Sequence, residues 1–263
     1  VKHVYVRSGP IALSALASGD AQFYSGSPTG AALGAITGGL DAVFVAGLIN
    51  KLNGTFVVEP SIKSPSDLKG RTIGVQSIGG GHWMITMLVL NHWELDPKRD
   101  NIQLRVIGDY SVLAQSIVSR IIDGAHLSYA FAANVERQGF LILADLAKLG
   151  IPYQNTAMIT RRSFVNSSPQ VVERFLRALT DAVAFVLEPA NKTPVMRSLA
   201  RGLRLPRVED AAEGYEGMIT LYERRMYPTV EGIRNAIQLL GTTNEKIRSL
   251  KAEDLVDDRF IKK

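Results

Sequence analysis

Two glycine-rich turns, each set between a short strand and a helix, constrain this chain more than any other feature. Ser25-Gly26-Ser27-Pro28-Thr29-Gly30 follows Ala21-Gln22-Phe23-Tyr24, and Ser77-Ile78-Gly79-Gly80-Gly81 follows Thr72-Ile73-Gly74-Val75. A strand that turns straight into a helix leaves the first N–H groups of that helix unpaired. Such groups hold anionic or strongly polar atoms. One such turn is an ordinary loop, whereas two that face each other from separate lobes make a clamp.

The rest of the chain supplies the lobes. Strand-like runs at Val4–Arg7, Ala21–Tyr24, Asp41–Leu48, Phe56–Val58, Thr72–Val75, Leu104–Ile107, Ala125–Ser128, Leu141–Ala144 and Thr156–Thr160 interleave with helical patterns near Ile11–Ala17, Thr29–Thr37, Trp83–Trp93 and Val112–Ile122. That alternation predicts an α/β fold with mostly parallel sheets and helices on both faces. Val4–Tyr24 and Leu104–Ser128 share the same strand–helix–Gly/Asp–strand plan. At that long spacing, a repeat indicates two similar lobes rather than a solenoid. After Asn155 the chain turns helical, with helices from Ser168-Pro169 onward, at Pro194–Arg201, Glu209–Arg225 and Val230–Leu240, and then a polar tail from Thr242.

Reactive chemistry is missing from the motifs. Among the 263 residues there is no cysteine, which excludes a disulfide scaffold, a thiolate metal site and a cysteine nucleophile. Gly26-Ser27-Pro28-Thr29-Gly30 has its serine one place too early for a nucleophile elbow, and Gly81-His82-Trp83 is no phosphate loop. The histidines (His3, His82, His92 and His126) lack a metal-ligand spacing. No cofactor and no metal are expected. The formal charge of +5 is spread along the chain, with Arg161-Arg162 and Arg224-Arg225 its densest spots, so no nucleic acid is expected either. No apolar run reaches the length of a membrane span. Polar-ligand geometry without an acid–base pair favours binding over catalysis.

These segments carry a resemblance. Ser8-Gly9-Pro10, Leu16–Phe23 and the Ser25–Gly30 turn resemble the first lobe of ABC-transporter substrate-binding proteins, in the branch for aliphatic sulfonates, taurine, nitrate and thiamine-precursor pyrimidines. Ile62–Val75, with Pro65-Ser66-Asp67-Leu68-Lys69-Gly70 at its centre, is similar to the segment by which that family enters its second lobe. Gly139-Phe140 with Leu143–Leu146, Tyr227–Ile233 and Lys251–Asp257 extend the likeness over nearly the whole chain. The resemblance implies a type II periplasmic-binding fold: lobe I from residues 1–62 and 157–263, lobe II from 63–156, joined by crossings near Val57–Ser64 and Gln154–Thr160. It implies an extracytoplasmic monomer that closes on a small-molecule solute and docks on the transmembrane subunits of an ABC permease. It also implies a secretion signal, a strand and a helix ahead of Val1, so we expect an incomplete chain.

On that plan the first lobe offers Ser8, Gly9, Ser27 and Thr29, and the second offers Gly80, Gly81, His82 and Trp83. Tyr24 and Tyr129 flank the ligand, and Asn155 donates from the hinge return. The ligand class stays open between a sulfonate, a small organic acid and an aromatic or heterocyclic solute. Two rivals remain: an effector-binding sensor domain of the same two-lobe plan, and a pyrimidine-precursor enzyme, which the absence of cysteine disfavours.

Overall fold

The computed structural model describes residues 2–6 and 9–262. In chain order the first part runs α1 (Gly9–Ser18), β1 (Phe23–Gly26), α2 (Gly30–Thr37), β2 (Ala42–Lys51), β3 (Thr55–Val58), β4 (Thr72–Val75), α3 (Gly81–His92), β5 (Gln103–Val106), α4 (Tyr110–Val118), β6 (Gly124–Leu127), α5 (Tyr129–Glu136) and β7 (Leu141–Asp145). Then come β8 (Pro152–Arg161), α6 (Arg162–Ser167), α7 (Pro169–Leu187), α8 (Lys192–Leu203), α9 (Ala212–Leu221), α10 (Val230–Gly241) and α11 (Glu245–Arg248).

The strands form one sheet of order β1-β8-β2 and a second of order β5-β4-β6-β3-β7. Neither is mostly parallel: the first is antiparallel at both of its pairings, and the second is mixed. β4 pairs parallel with β5 and β6, because α3 and α4 carry the chain back between successive strands. β3 runs antiparallel to β6 and β7, and β8 runs antiparallel to β1 and β2. Each of these two strands arrives from the other sheet with no α-helix to reverse it, β8 after only a short 3-10 turn at Leu146–Lys148.

The chain therefore changes sheet at 52–54 and again at 146–151. Both changes come ahead of the crossings expected near Val57–Ser64 and Gln154–Thr160. Phe56-Val57-Val58 is wholly buried inside the second sheet. Val4–Val6, expected as part of a strand, forms none, and Val4 and Tyr5 are exposed.

One apolar core runs across both sheets. Leu16, Leu33 and Phe44 from the first side meet Phe56, Ile73 and Met84 from the second, under Ile233 and Ile237 of α10. A satellite core of Val57, Leu113, Ile117 and Leu127 lies beneath α4 and α5. The far face of the first sheet, with Val43 and Val45, is covered by Val172 and Leu176 of α7.

The segments that carry the family likeness have local physical reasons. The Asp67 carboxylate accepts the N–H groups of Lys63 and Ser64 at 2.9 Å each, which closes the turn and holds its pKa below the usual carboxylate range. Ile62 and Leu68 anchor that turn in the main core. Thr229 caps α10 by accepting from Gly232 N–H at 3.1 Å, while its own N–H donates to Gln154 Oε1 at 2.8 Å. The stretch after Thr242, read from sequence as a polar tail, packs: Ile247, Ala252 and Leu255 are buried, and Asp257 N–H donates to Phe44 O at 3.0 Å.

Gly232 sits where α10 presses on β8. A methyl group there would stand 2.6 Å from Gln154 N and 2.7 Å from Tyr153 C, both backbone atoms that cannot swing aside. Gly232→Ala is expected to destabilise the fold by about 1–3 kcal/mol through overpacking. Urea unfolding reads this directly, and a loss below about 0.5 kcal/mol would mean that the helix slides freely.

Candidate functional site

The two glycine turns meet. A methyl group on Gly30 would touch the Gly79 carbonyl oxygen at 3.5 Å, and one on Gly81 would lie 4.0 Å from Ser27 Oγ. Gly30 opens α2 behind its cap Thr29, whose Oγ1 accepts from Ala32 N–H at 3.3 Å. Gly81 opens α3 behind Gly80, a cap with no side chain to spend on the helix. Two helix starts from opposite sheets thus face each other at the range of a single small group.

Tyr24 brings in a third. Its ring folds over Gly26, where any Cβ would fall 2.4 Å from ring carbon, so only glycine fits. Its hydroxyl reaches the start of α1, 3.2 Å from where a methyl on Gly9 would be. Beside Tyr24 and Ser27 stands Tyr153 of β8, fully buried. Burial raises the Tyr24 phenol and pushes Tyr153 up to about 12, so both are neutral hydroxyl groups at physiological pH. The result is a cluster of hydroxyls and free amides suited to polar or oxyanionic atoms.

Other residues singled out from the sequence sit differently. Ser8 lies outside the described residues. The His82 side chain, expected to point at the ligand, is instead buried in the second lobe. Its Nε2 donates to His126 O at 2.8 Å, and its ring lies 4.7 Å from the His126 ring and edge-on to Tyr110. In the first turn of α3 it lies on the face that packs inward, against His126 and Tyr110. Trp83 is half-buried against the main core.

Tyr129 and Asn155 brace the crossings. Tyr129 Oη donates to the Asp145 carboxylate at 2.9 Å, at the mouth of the second crossing. Its phenol is pushed up to about 12 by burial and by that carboxylate. Asn155 Nδ2 donates to Asn53 Oδ1 at 2.9 Å and so ties β8 to the first crossing. His126 adds a second tie, its Nε2 donating to Asn53 O at 2.8 Å. On the opposite side of β8, the buried Gln154 amide donates to Ile49 O, Asn50 Oδ1 and Thr156 O.

Two residues that these contacts bring forward were not singled out from the sequence: Tyr153, beside Tyr24 and Ser27, and Asn53 in the first crossing. The signal for the first was Tyr153-Gln154-Asn155, a polar run at the entry of an otherwise apolar strand. Two cavities lie away from the turns. One, of about 450 Å³, opens between the end of α3 and α10 along Ile151 and Asn235. The other, of about 340 Å³, is an apolar groove between α1 and α2 at Leu13, Ala17, Ala31 and Ala35. Among the described residues no helix is long and apolar enough to cross a membrane.

Comparison with known proteins agrees with this architecture. The chain is 28% identical over 179 residues to the taurine-binding periplasmic protein of Escherichia coli (strain K12), an alignment that takes in 66% of this chain and 54% of that protein. It thus spans about half the length of that relative. Among solved structures, a sulfonate ABC transporter periplasmic sulfonate-binding protein, SsuA, from Methylobacillus flagellatus KT superposes with a TM-score of 0.75 at 18% identity, over 97% of this chain and 77% of that one. The periplasmic aliphatic sulphonate binding protein SsuA from Escherichia coli gives a TM-score of 0.74 at 17% identity, over 95% and 80%. At these identities the likeness shows a shared fold. The model of one family, NMT1/THI5 like, matches residues 7–192, and with most of its length inside that match the chain belongs to this family.

Proposed function

We propose that this protein is the solute-binding component of an ABC importer. It works outside the cytoplasm as a monomer, holding a small sulfonate or related organic anion between the turns 25–30 and 77–81 and passing it unchanged to a membrane permease. The observation that carries this reading is the approach of two helix starts from different sheets, Gly30 to Gly79 and Gly81 to Ser27. The names of the relatives point to the same ligand class.

The bodies that close on the solute are residues 1–51 with 152–263, and 55–145, hinged at 52–54 and 146–151. Gly9, Thr29, Gly80, Gly81 and the backbone of His82 supply amide donors, while Tyr24, Ser27 and Thr29 supply hydroxyls. Each helix dipole contributes roughly 0.3–1 kcal/mol toward an anion at an exposed site, and more once the cleft excludes water.

Calorimetric titration with taurine, alkanesulfonates and aromatic carboxylates tests the proposal. Saturable 1:1 binding with the solute recovered intact is the expected result. Chemical conversion of a bound solute would overturn it. Gly81→Leu places a branched side chain in the gap facing Ser27, at a position where leucine is a good helix former. Binding should weaken about 100-fold or more, ~3 kcal/mol, with the melting temperature close to wild type. Unchanged affinity would remove that turn from the site.

A further inference from the structure

The feature of the cleft that the helix starts leave unexplained is Tyr153. It is 1% exposed, among the largest fully buried side chains, yet its hydroxyl has no hydrogen-bond partner. Leaving a buried hydroxyl unpaired costs free energy, and such orphans are uncommon in native proteins. The surroundings offered a way out: Ser27 and Tyr24 stand beside it. The Ser27 hydroxyl comes near enough to Tyr153 to act on its phenol, yet the contact falls outside ordinary hydrogen-bond geometry, and Ser27 Oγ also faces the open end of α3 at Gly81.

The backbone that carries the ring is fixed. Tyr153 is held from behind by Gly232, which lets α10 approach the Tyr153 carbonyl carbon closely. Asn235 fixes the preceding residue by donating to Pro152 O at 2.9 Å. β8 follows directly on the second crossing.

We propose that Tyr153 is a ligand-contacting residue, its hydroxyl donating to an acceptor oxygen of the solute held between Ser27 and the start of α3. The inference rests on the proposed solute site and adds to it a residue that selects for ligands with an acceptor at that point. A solute oxygen satisfies the stranded donor, and the bond is formed only when ligand is present. The hydroxyl therefore adds to affinity without adding to the stability of the empty protein.

That sign separates the assignment from a structural role. The test compares wild type with Tyr153→Phe, using taurine and ethanesulfonate as probes in calorimetry, and thermal unfolding without any solute. Removing the hydroxyl should weaken binding of both sulfonates about 10- to 100-fold, the range for a hydrogen bond to a charged acceptor. The melting temperature of the empty protein should stay the same or rise. Equal affinity in the two proteins overturns the assignment. A lower melting temperature of the empty variant, with or without weaker binding, makes the hydroxyl a structural bond and overturns it as well. If wild type itself binds neither probe, the proposed function fails first and this inference falls with it.

Discussion

Gly54→Ala is expected to lose about 2–5 kcal/mol of folding stability, although the change adds only a methyl group. Gly54 lies in the first crossing with φ +84°, a left-handed conformation that costs an ordinary residue roughly 1–2 kcal/mol. The added Cβ would also fall 2.4 Å from Leu127 O and 2.6 Å from His126 Nε2. Neither atom can yield cheaply. Leu127 O belongs to a buried strand of the second sheet, and His126 Nε2 is already committed to Asn53 O. Overpacking of this kind adds about 1–3 kcal/mol. Gly70 supplies the control. Its φ is +74°, but nothing lies within 4 Å of the Cβ position, so Gly70→Ala should cost only the backbone term of roughly 1–2 kcal/mol. Urea unfolding of both variants separates the two contributions. Equal losses at the two glycines would show that the crossing gives way, and that the ties through Asn53 do not hold it.

Much of this fold was legible because local signals and tertiary packing agree. Thr72–Val75 is a strand with the boundaries its sequence suggests, and Pro169 starts the amphipathic α7 as its position after Ser168 requires. Both glycine turns open helices, and they meet. What sequence left hidden depends on partners far along the chain. An apolar run such as Phe56-Val57-Val58 looks the same whether it belongs to one sheet or bridges two, and only its pairing with β6 and β7 decides. Strand direction was misread because alternation of strands and helices implies parallel pairing only where a helix intervenes between neighbours. β3 and β8 skip that step.

The site divides along the same line. The helix starts at Gly30 and Gly81 follow from turn chemistry, so they are legible in sequence. Side-chain direction does not follow from it. His82 sits in the first turn of α3 with its ring against His126 and Tyr110, and Tyr129 reaches Asp145 at the crossing. Tyr153 went unnoticed because an aromatic residue in an apolar strand reads as core. It is core, and what distinguishes it is an unpaired oxygen that only coordinates reveal.

Mild acid should destabilise this protein above the pH at which carboxylates titrate, because of the buried histidine pair. Each carbonyl that receives a ring N–H, His126 O and Asn53 O, can only accept, so both imidazoles carry hydrogen on Nε2. Both Nδ1 atoms are buried without a partner. A proton arriving at either Nδ1 would therefore be a buried charge with no acceptor, beside a second imidazole. Burial, then the neighbouring His82, push His126 down to about 3, and burial lowers His82. The phenol of Tyr110, edge-on to both rings, is pushed up to about 12 and supplies no counter-charge. Between the ordinary histidine value near 6.5 and about 3, the unfolded chain binds protons that the native state refuses, so stability falls as pH falls. At pH 5 the loss from His126 is about 2 kcal/mol relative to pH 7.5, and His82 adds to it. Asp67 and Asp210, whose pKa values are lowered, contribute only at lower pH, which leaves the window above about 4.5 to the histidines. Urea midpoints taken from pH 7.5 to 5 should decline in wild type and flatten in His126→Asn combined with His82→Asn. A wild-type profile that is level over that range would mean that the pair protonates without opening the crossing, and that Nδ1 finds an acceptor in solution.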